Sequence, residues 1–216
     1  MYHYVEDKVF LSDIRKLCGE IMQDFCHILA TEYGISSSFY MVGSGARNLI
    51  LQNNSRPVDL DYNLEIDSCP DFNNCRDIKE KAILAFNAAL KGHGWSNCQD
   101  SKSCMTTEHR HFTKGNPTEF SMDVCIISAD NRGQCHRLIH EKASVYALGH
   151  YYWNIAPNSA NLRKKVKYIK DQGNWLAVRE EYLEIKNMYL TRNAAATHPS
   201  FICYIEAVNH VYDAMR

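Results

Sequence analysis

From Leu11 to about Tyr33, the residues Ile14, Cys18, Ile21, Phe25 and Ile28 recur at the spacing of one helical face, and Ser12 ahead of them offers an N-cap. The run Ser38 to Val42 is rich in strand formers and stops at Gly43-Ser44-Gly45, after which Ala46 to Gln52 predicts a short helix. Residues 58 to 66, VDLDYNLEI, alternate strictly: Val58, Leu60, Tyr62, Leu64 and Ile66 share one face, and Asp59, Asp61, Asn63 and Glu65 share the other. A period of two belongs to a strand, and no helix sorts residues this way. A polar loop then leads to a helix from about Arg76 to Lys91, stopped by Gly92-His93-Gly94. Two further strands, Met105 to Phe112 and Thr118 to Ser128, are joined by the turn Lys114-Gly115-Asn116-Pro117. In the second of them Phe120, Met122, Val124 and Ile126 oppose Ser121, Asp123 and Cys125. Helices over 158–170, 175–191 and 199–215 close the chain, with Trp175, Val178, Tyr182, Ile185 and Tyr189 in one stripe.

This order of elements predicts an α+β fold, a mixed sheet flanked by helices and followed by a C-terminal helical region. The division falls between Ala129 and Ala156, giving a sheet domain over 1–135 and a helical region over 136–216. With 216 residues, 45% of them hydrophobic, the chain can bury a sizeable core. A net charge of -1 supplies no global field for a polyanion. No apolar run reaches the ~20 residues of a membrane span, and the start MYHYVEDKVF lacks a signal-peptide layout, so a cytoplasmic protein is expected. The nine cysteines include no Cys-x-x-Cys pair, and Cys98, Cys104, His109 and His111 fit no common zinc spacing. Reduced thiols are the better reading, several of them acting as small hydrophobes.

Aspartate is depleted in strands, so three on strand faces need a reason. Asp59 and Asp61 leave the same face about 7 Å apart along the backbone. Carboxylates held that close repel, and a hard divalent cation such as Mg2+ or Mn2+ relieves the repulsion. If Asp123 joins them from a neighbouring strand, three carboxylates can hold two ions for an in-line phosphoryl displacement. The bland alternative, that each aspartate merely wets a strand surface, leaves the glycine turn unexplained. Gly43-Ser44 stands between a strand and a helix, where backbone amides can receive phosphate oxygens.

The segments MVGSGARN, VDLDYNLEI and TEFSMDVCII, in this order, resemble the three hallmark segments of the polymerase-β-like nucleotidyltransferase superfamily. The resemblance covers about residues 36 to 130, with a slightly long gap between Ser44 and Asp59 that suggests a loop insertion around Asn53-Asn54-Ser55. It implies that Gly43 and Ser44 contact the β and γ phosphates, that Asp59 and Asp61 bind both metal ions, and that Asp123 binds the catalytic one. It further implies attack of an acceptor hydroxyl on the α-phosphorus of an NTP, ATP being favoured, with loss of pyrophosphate. Related enzymes often set a lysine from a later helix against the triphosphate. Lys167, central in the basic face Arg163, Lys167 and Lys170, is the candidate here, and Arg47 behind the glycine turn is a second phosphate contact.

The acceptor is the least constrained element. A neutral chain with one short basic cluster argues against RNA, which needs several phosphates neutralised. A small-molecule hydroxyl is expected, with a protein side chain as the alternative and a catalytically silent nucleotide-binding module as a third reading. Two rivals are weaker. A dinucleotide-binding turn would need a third glycine, and a glycosyltransferase with Asp-x-Asp predicts neither the glycine-serine turn nor Asp123. His109 and His111, and the aromatic run Tyr151-Tyr152-Trp153, read first as surface or junction residues.

Overall fold

A computed structural model describes residues 1–54, 56–130, 134–143, 149–155, 160–191 and 200–216. In chain order they form β1 (Tyr2–Tyr4), α1 (Lys8–Tyr33), β2 (Ser36–Met41), α2 (Gly43–Arg47), β3 (Leu51–Asn53), β4 (Val58–Ser68) and α3 (Cys75–Gly92). There follow β5 (Gln99–Asp100), β6 (Met105–Thr106), β7 (Phe120–Ala129), β8 (Cys135–Glu141), β9 (His150–Ile155), α4 (Ala160–Asp171), α5 (Trp175–Thr191) and α6 (Ser200–Ala214). The expected helix starts Asn158 and Pro199, Ala156 at the end of the expected division and Ser55 of the suggested loop insertion lie outside the described residues. Two compact units result. The larger comprises Asp7–Val42 and Pro57–Ala156, the smaller Met1–Glu6, Gly43–Arg56 and Pro157–Arg216.

The larger unit is a mixed sheet with helices. Its strands run β2-β4-β7-β6-β5, with β8 added to β7 and β9 to β8. β4 and β7 are parallel, and the other neighbours are antiparallel. Val58, Leu60, Tyr62, Leu64 and Ile66 of β4 and Phe120, Met122, Val124 and Ile126 of β7 are all buried. Each contributes about 1.5–3 kcal/mol by leaving water. Phe25 of α1 packs on Phe86 of α3 with ring centroids 5.0 Å apart. The strict alternation of β4 thus puts its aliphatic face on the helices and its carboxylates on the opposite face.

Several local expectations are corrected. Asp7, not Ser12, caps α1, its carboxylate accepting from the Phe10 N–H at 2.9 Å. The helix starts a turn earlier because Phe10 and Leu11 extend its buried stripe, which ends on Leu29 with Ile28 only half-buried. Gly34 closes α1 at φ 65°, its N–H bonding Ala30 O while the Ile35 N–H bonds Leu29 O, both at 3.2 Å. The strand expected over 105–112 shrinks to β6 because the Met122 N–H turns to the Thr107 hydroxyl at 2.9 Å, which interrupts the ladder. Residues 136–141 and 150–155, grouped with the helices on sequence, supply all of β8 but Cys135 and all of β9. Their aromatic run Tyr151-Tyr152-Trp153 is strand, consistent with the β preference of aromatic residues.

The smaller unit gathers α4, α5 and α6 around Leu49, Ile169, Val178, Tyr182, Ile185, Tyr204 and Val208. Trp175 and Tyr189, the ends of the α5 stripe, pack against this cluster half-buried. β1 pairs with β3 and is fastened to α5. The Tyr2 N–H donates to Asn187 Oδ1 at 2.7 Å, Asn187 Nδ2 returns a bond to Tyr2 O at 3.1 Å, and the Tyr4 hydroxyl donates to Arg179 O at 2.6 Å. The helix expected over 46–52 is instead the five-residue α2, ended by Asn48 at φ 61°, a left-handed conformation that asparagine tolerates better than most residues. Leu51 and Gln52 are then strand. No described helix is long and apolar enough to cross a membrane.

Candidate active site

The polar face of β4 and β7 carries the three aspartates. In the parallel register Asp59 lies opposite Ser121 and Asp61 opposite Asp123, so all four side chains leave the same face of the sheet. Asp59 is exposed, while Asp61 and Asp123 are half-buried. On its other side Asp123 faces Thr106 of β6. The Val42 N–H, one residue before Gly43, donates to Asp61 O at 2.8 Å, so the chain leaves the sheet for the glycine turn directly from a bond to this aspartate.

Each of two carboxylates has a hydroxyl partner across the ladder. Ser121 Oγ donates to Asp59 Oδ1 and Thr106 Oγ1 to Asp123 Oδ1, both at 2.5 Å. Ser121 is buried and can hardly turn elsewhere. Burial pushes the Asp123 carboxyl above the usual carboxylate range, the Thr106 bond opposes this, and the Asp59 charge adds to it. Three hard oxygen donors on one sheet face are the ligand chemistry that Mg2+ or Mn2+ takes. Among the described residues, however, no group of three or more His, Cys, Asp or Glu side chains is arranged to hold a metal ion. The donor types and their register suit the ion. The side-chain directions as they stand serve the hydroxyls at Asp59 and Asp123.

Gly43, Ser44, Arg47 and Lys167 all belong to the smaller unit. Gly43 sits at φ 61°, a conformation that favours glycine, and the Ser44 carbonyl accepts from the Leu49 N–H at 2.9 Å. Arg47 donates from Nη1 to Gly43 O at 2.6 Å and lies 4.5 Å over the Tyr204 ring, so its guanidinium fastens the turn to α6. Lys167 is highly exposed and pairs with Asp171 at 2.6 Å on its own helix. An exposed pair of this kind is worth only about 0.3–0.5 kcal/mol and leaves the lysine easy to recruit.

Sequence reasoning missed a buried ion-pair group of the larger unit and the hydroxyls that bond the carboxylates. Lys79 of α3 is almost wholly buried, with Nζ 3.1 Å from Asp100 Oδ1. Asp100 Oδ2 lies 2.5 Å from His140 Nδ1, and the His140 ring stacks on Tyr151 at 4.0 Å. A signal existed: Cys75, Ile78, Lys79, Ala82 and Phe86 follow one helical stripe, which puts a lysine among core positions. Ser121 and Thr106 carried no such signal, because their partners are set by strand register. His109 and His111 are exposed and lie outside the named strands. Of the aromatic run, Tyr151 stacks as described, the Tyr152 hydroxyl donates to Glu141 Oε1 at 3.2 Å and Trp153 Nε1 donates to Phe72 O at 2.8 Å.

No family model and no curated protein matches the chain. Solved structures do. CdnC of E. coli MS115-1 with ATP matches with a TM-score of 0.57 and 14% identity over 97% of this chain and 62% of that one. Vibrio cholerae DncV, a cyclic AMP-GMP synthase in complex with the linear intermediate 5' pppA(3',5')pG, gives 0.56 and 9% over 84% and 62%. Elizabethkingia meningoseptica CdnE, a cyclic dinucleotide synthase with GTP and Apcpp, gives 0.53 and 13% over 89% and 68%. The chain therefore spans 62% of the length of two of these proteins and 68% of the third. These neighbours are polymerase-β-like nucleotidyltransferases, and the fold of the chain is theirs.

Proposed function

We propose that the chain is a metal-dependent nucleotidyltransferase that moves a nucleoside monophosphate from an NTP to the hydroxyl of a small molecule. The observation that carries this reading is the register pairing of Asp61 with Asp123 on the sheet face that also bears Asp59. Asp59, Asp61 and Asp123 would hold the divalent ions, which supply charge neutralisation for the departing pyrophosphate. Asp123 is suited to take the acceptor proton on Oδ2. Its Oδ1 is engaged by Thr106 and its burial raises its basicity, the direction that general-base work requires. Ser44 and the backbone of the turn are assigned contact with the β and γ phosphates, with Arg47 holding the turn in shape and Lys167 adding a cation. The acceptor oxygen forms a bond to the α-phosphorus as the bond to pyrophosphate breaks, and the proton passes from the acceptor to Asp123.

Among small hydroxyl acceptors a second nucleotide is the first to try, because CdnE carries GTP together with Apcpp, and DncV a linear dinucleotide intermediate. The test is incubation of the protein and Mg2+ with each α-labelled NTP, alone, in pairs and with panels of hydroxylated small molecules, proteins and tRNA. Label in a new small nucleotide species supports the reading. Label on protein alone, on tRNA alone, or tight Mg2+-dependent NTP binding with no transfer anywhere would each replace it.

A further inference from the structure

The polar face of β6 and β7 carries a pair of thiols beside the carboxylates, with Cys104 Sγ 3.9 Å from Asp123 Oδ1. The Thr107 N–H donates to Met122 O at 3.0 Å. An antiparallel ladder alternates hydrogen-bonded pairs with open pairs, so Thr106 and Asp123 form an open pair. Continued by two residues beyond Thr106–Asp123, past the end of β6, the same register sets Cys104 opposite Cys125 in the next open pair. Such pairs hold their Cα atoms about 4.5 Å apart, inside the roughly 4.4–6.8 Å that a disulfide spans. By contrast Cys135, on the other ladder of β7, faces Ala129.

Cys104 is also held in place. Its carbonyl accepts from the Ser101 N–H and the Ser101 hydroxyl, each at 3.0 Å, and from Lys79 Nζ at 3.4 Å, and its Sγ lies 2.9 Å from Ser101 Oγ. Both cysteines are half-buried, a setting that admits a small oxidant.

We infer that Cys104 and Cys125 are a peroxide-reactive dithiol that closes into a disulfide between β6 and β7. The Cys104 sulfur attacks one peroxide oxygen and the O–O bond breaks. Water leaves after proton transfer, and Cys104 becomes a sulfenic acid. The Cys125 sulfur then attacks the Cys104 sulfur, the S–O bond breaks and a second water leaves. One peroxide is reduced by two electrons and two thiols are oxidised to one disulfide.

The experiment treats the reduced full chain with a small molar excess of hydrogen peroxide, alkylates the remaining thiols and maps the unreduced peptides by mass spectrometry. A linked peptide pair holding Cys104 and Cys125 is expected as the dominant product, reversed by dithiothreitol. In Cys125→Ser the same treatment leaves Cys104 as a sulfenic acid that dimedone traps. Absence of the linked pair in the natural sequence overturns the inference, whether the thiols stay reduced or other cysteines react. So does a Cys125→Ser protein whose Cys104 takes no dimedone.

Discussion

Asp123 is the residue whose surroundings make the sharpest demand. Its folded-state carboxyl is raised above its ordinary value by burial, with the Asp59 charge adding to the effect. A raised carboxyl favours the protonated form of the folded protein, so its contribution to stability is present below the unfolded pKa and is lost as pH rises through the folded one. Asp123→Asn should therefore raise the Tm at neutral pH without divalent ions, by about 2–4 °C for each kcal/mol relieved. The gain should shrink as the pH falls toward the ordinary carboxylate range, and melts across pH check it. Ser121 and Thr106 act one step back, as positioning residues for Asp59 and Asp123. Ser121→Ala and Thr106→Val should each weaken Mn2+ binding about 10–100-fold, the usual cost of removing an outer partner of a metal ligand. Titration of Mn2+ by paramagnetic resonance reads this without any turnover. Unchanged Mn2+ affinity in both variants would remove the hydroxyls from that role.

At the scale of elements, the Lys79–Asp100–His140 group joins α3, β5 and β8 inside the larger unit. Breaking a buried pair from one side strands the other charge, at a typical cost of 3–5 kcal/mol. Asp100→Ala should lose about that much in denaturant unfolding, whereas Lys167→Ala, which removes an exposed pair on α4, should change stability by less than about 0.5 kcal/mol. The strictly alternating β4 was fully legible in the sequence, because its period of two admits one structure. So were α3 and α5, each with a long apolar stripe. What failed was short or dependent on partners: the five-residue α2, which Asn48 stops, the shortened β6, where Thr107 substitutes a hydroxyl for a ladder bond, and the β8 and β9 pair. In β8 the consecutive Leu138 and Ile139 are both buried, which no simple alternation predicts. Ser121 was readable as a polar-face residue, but its bond to Asp59 needed the β4 and β7 register.

For the molecule as a whole, the smaller unit draws on three separated stretches of chain, 1–6, 43–56 and 157–216. No local pattern reveals that grouping, since it rests on pairings such as Tyr2 with Asn53 and Tyr2 with Asn187. Net charge, which is legible from composition alone, bears on the acceptor. A net charge of -1 leaves little for a polyanion to engage, so the transfer rate should change less than about threefold between 50 and 200 mM salt. An acceptor making 6–10 phosphate contacts would lose roughly 10^3–10^5 in affinity over that range. Nucleotidyl transfer by this chain is tested most simply by pyrophosphate release from each NTP in Mg2+, comparing the natural chain with Asp61→Asn. Pyrophosphate should appear in step with a new nucleotide product for the natural chain and fall by at least about 10^2–10^3-fold in the variant, and the two melting curves should match. Equal release by both proteins, or inorganic phosphate in place of pyrophosphate, would contradict such transfer.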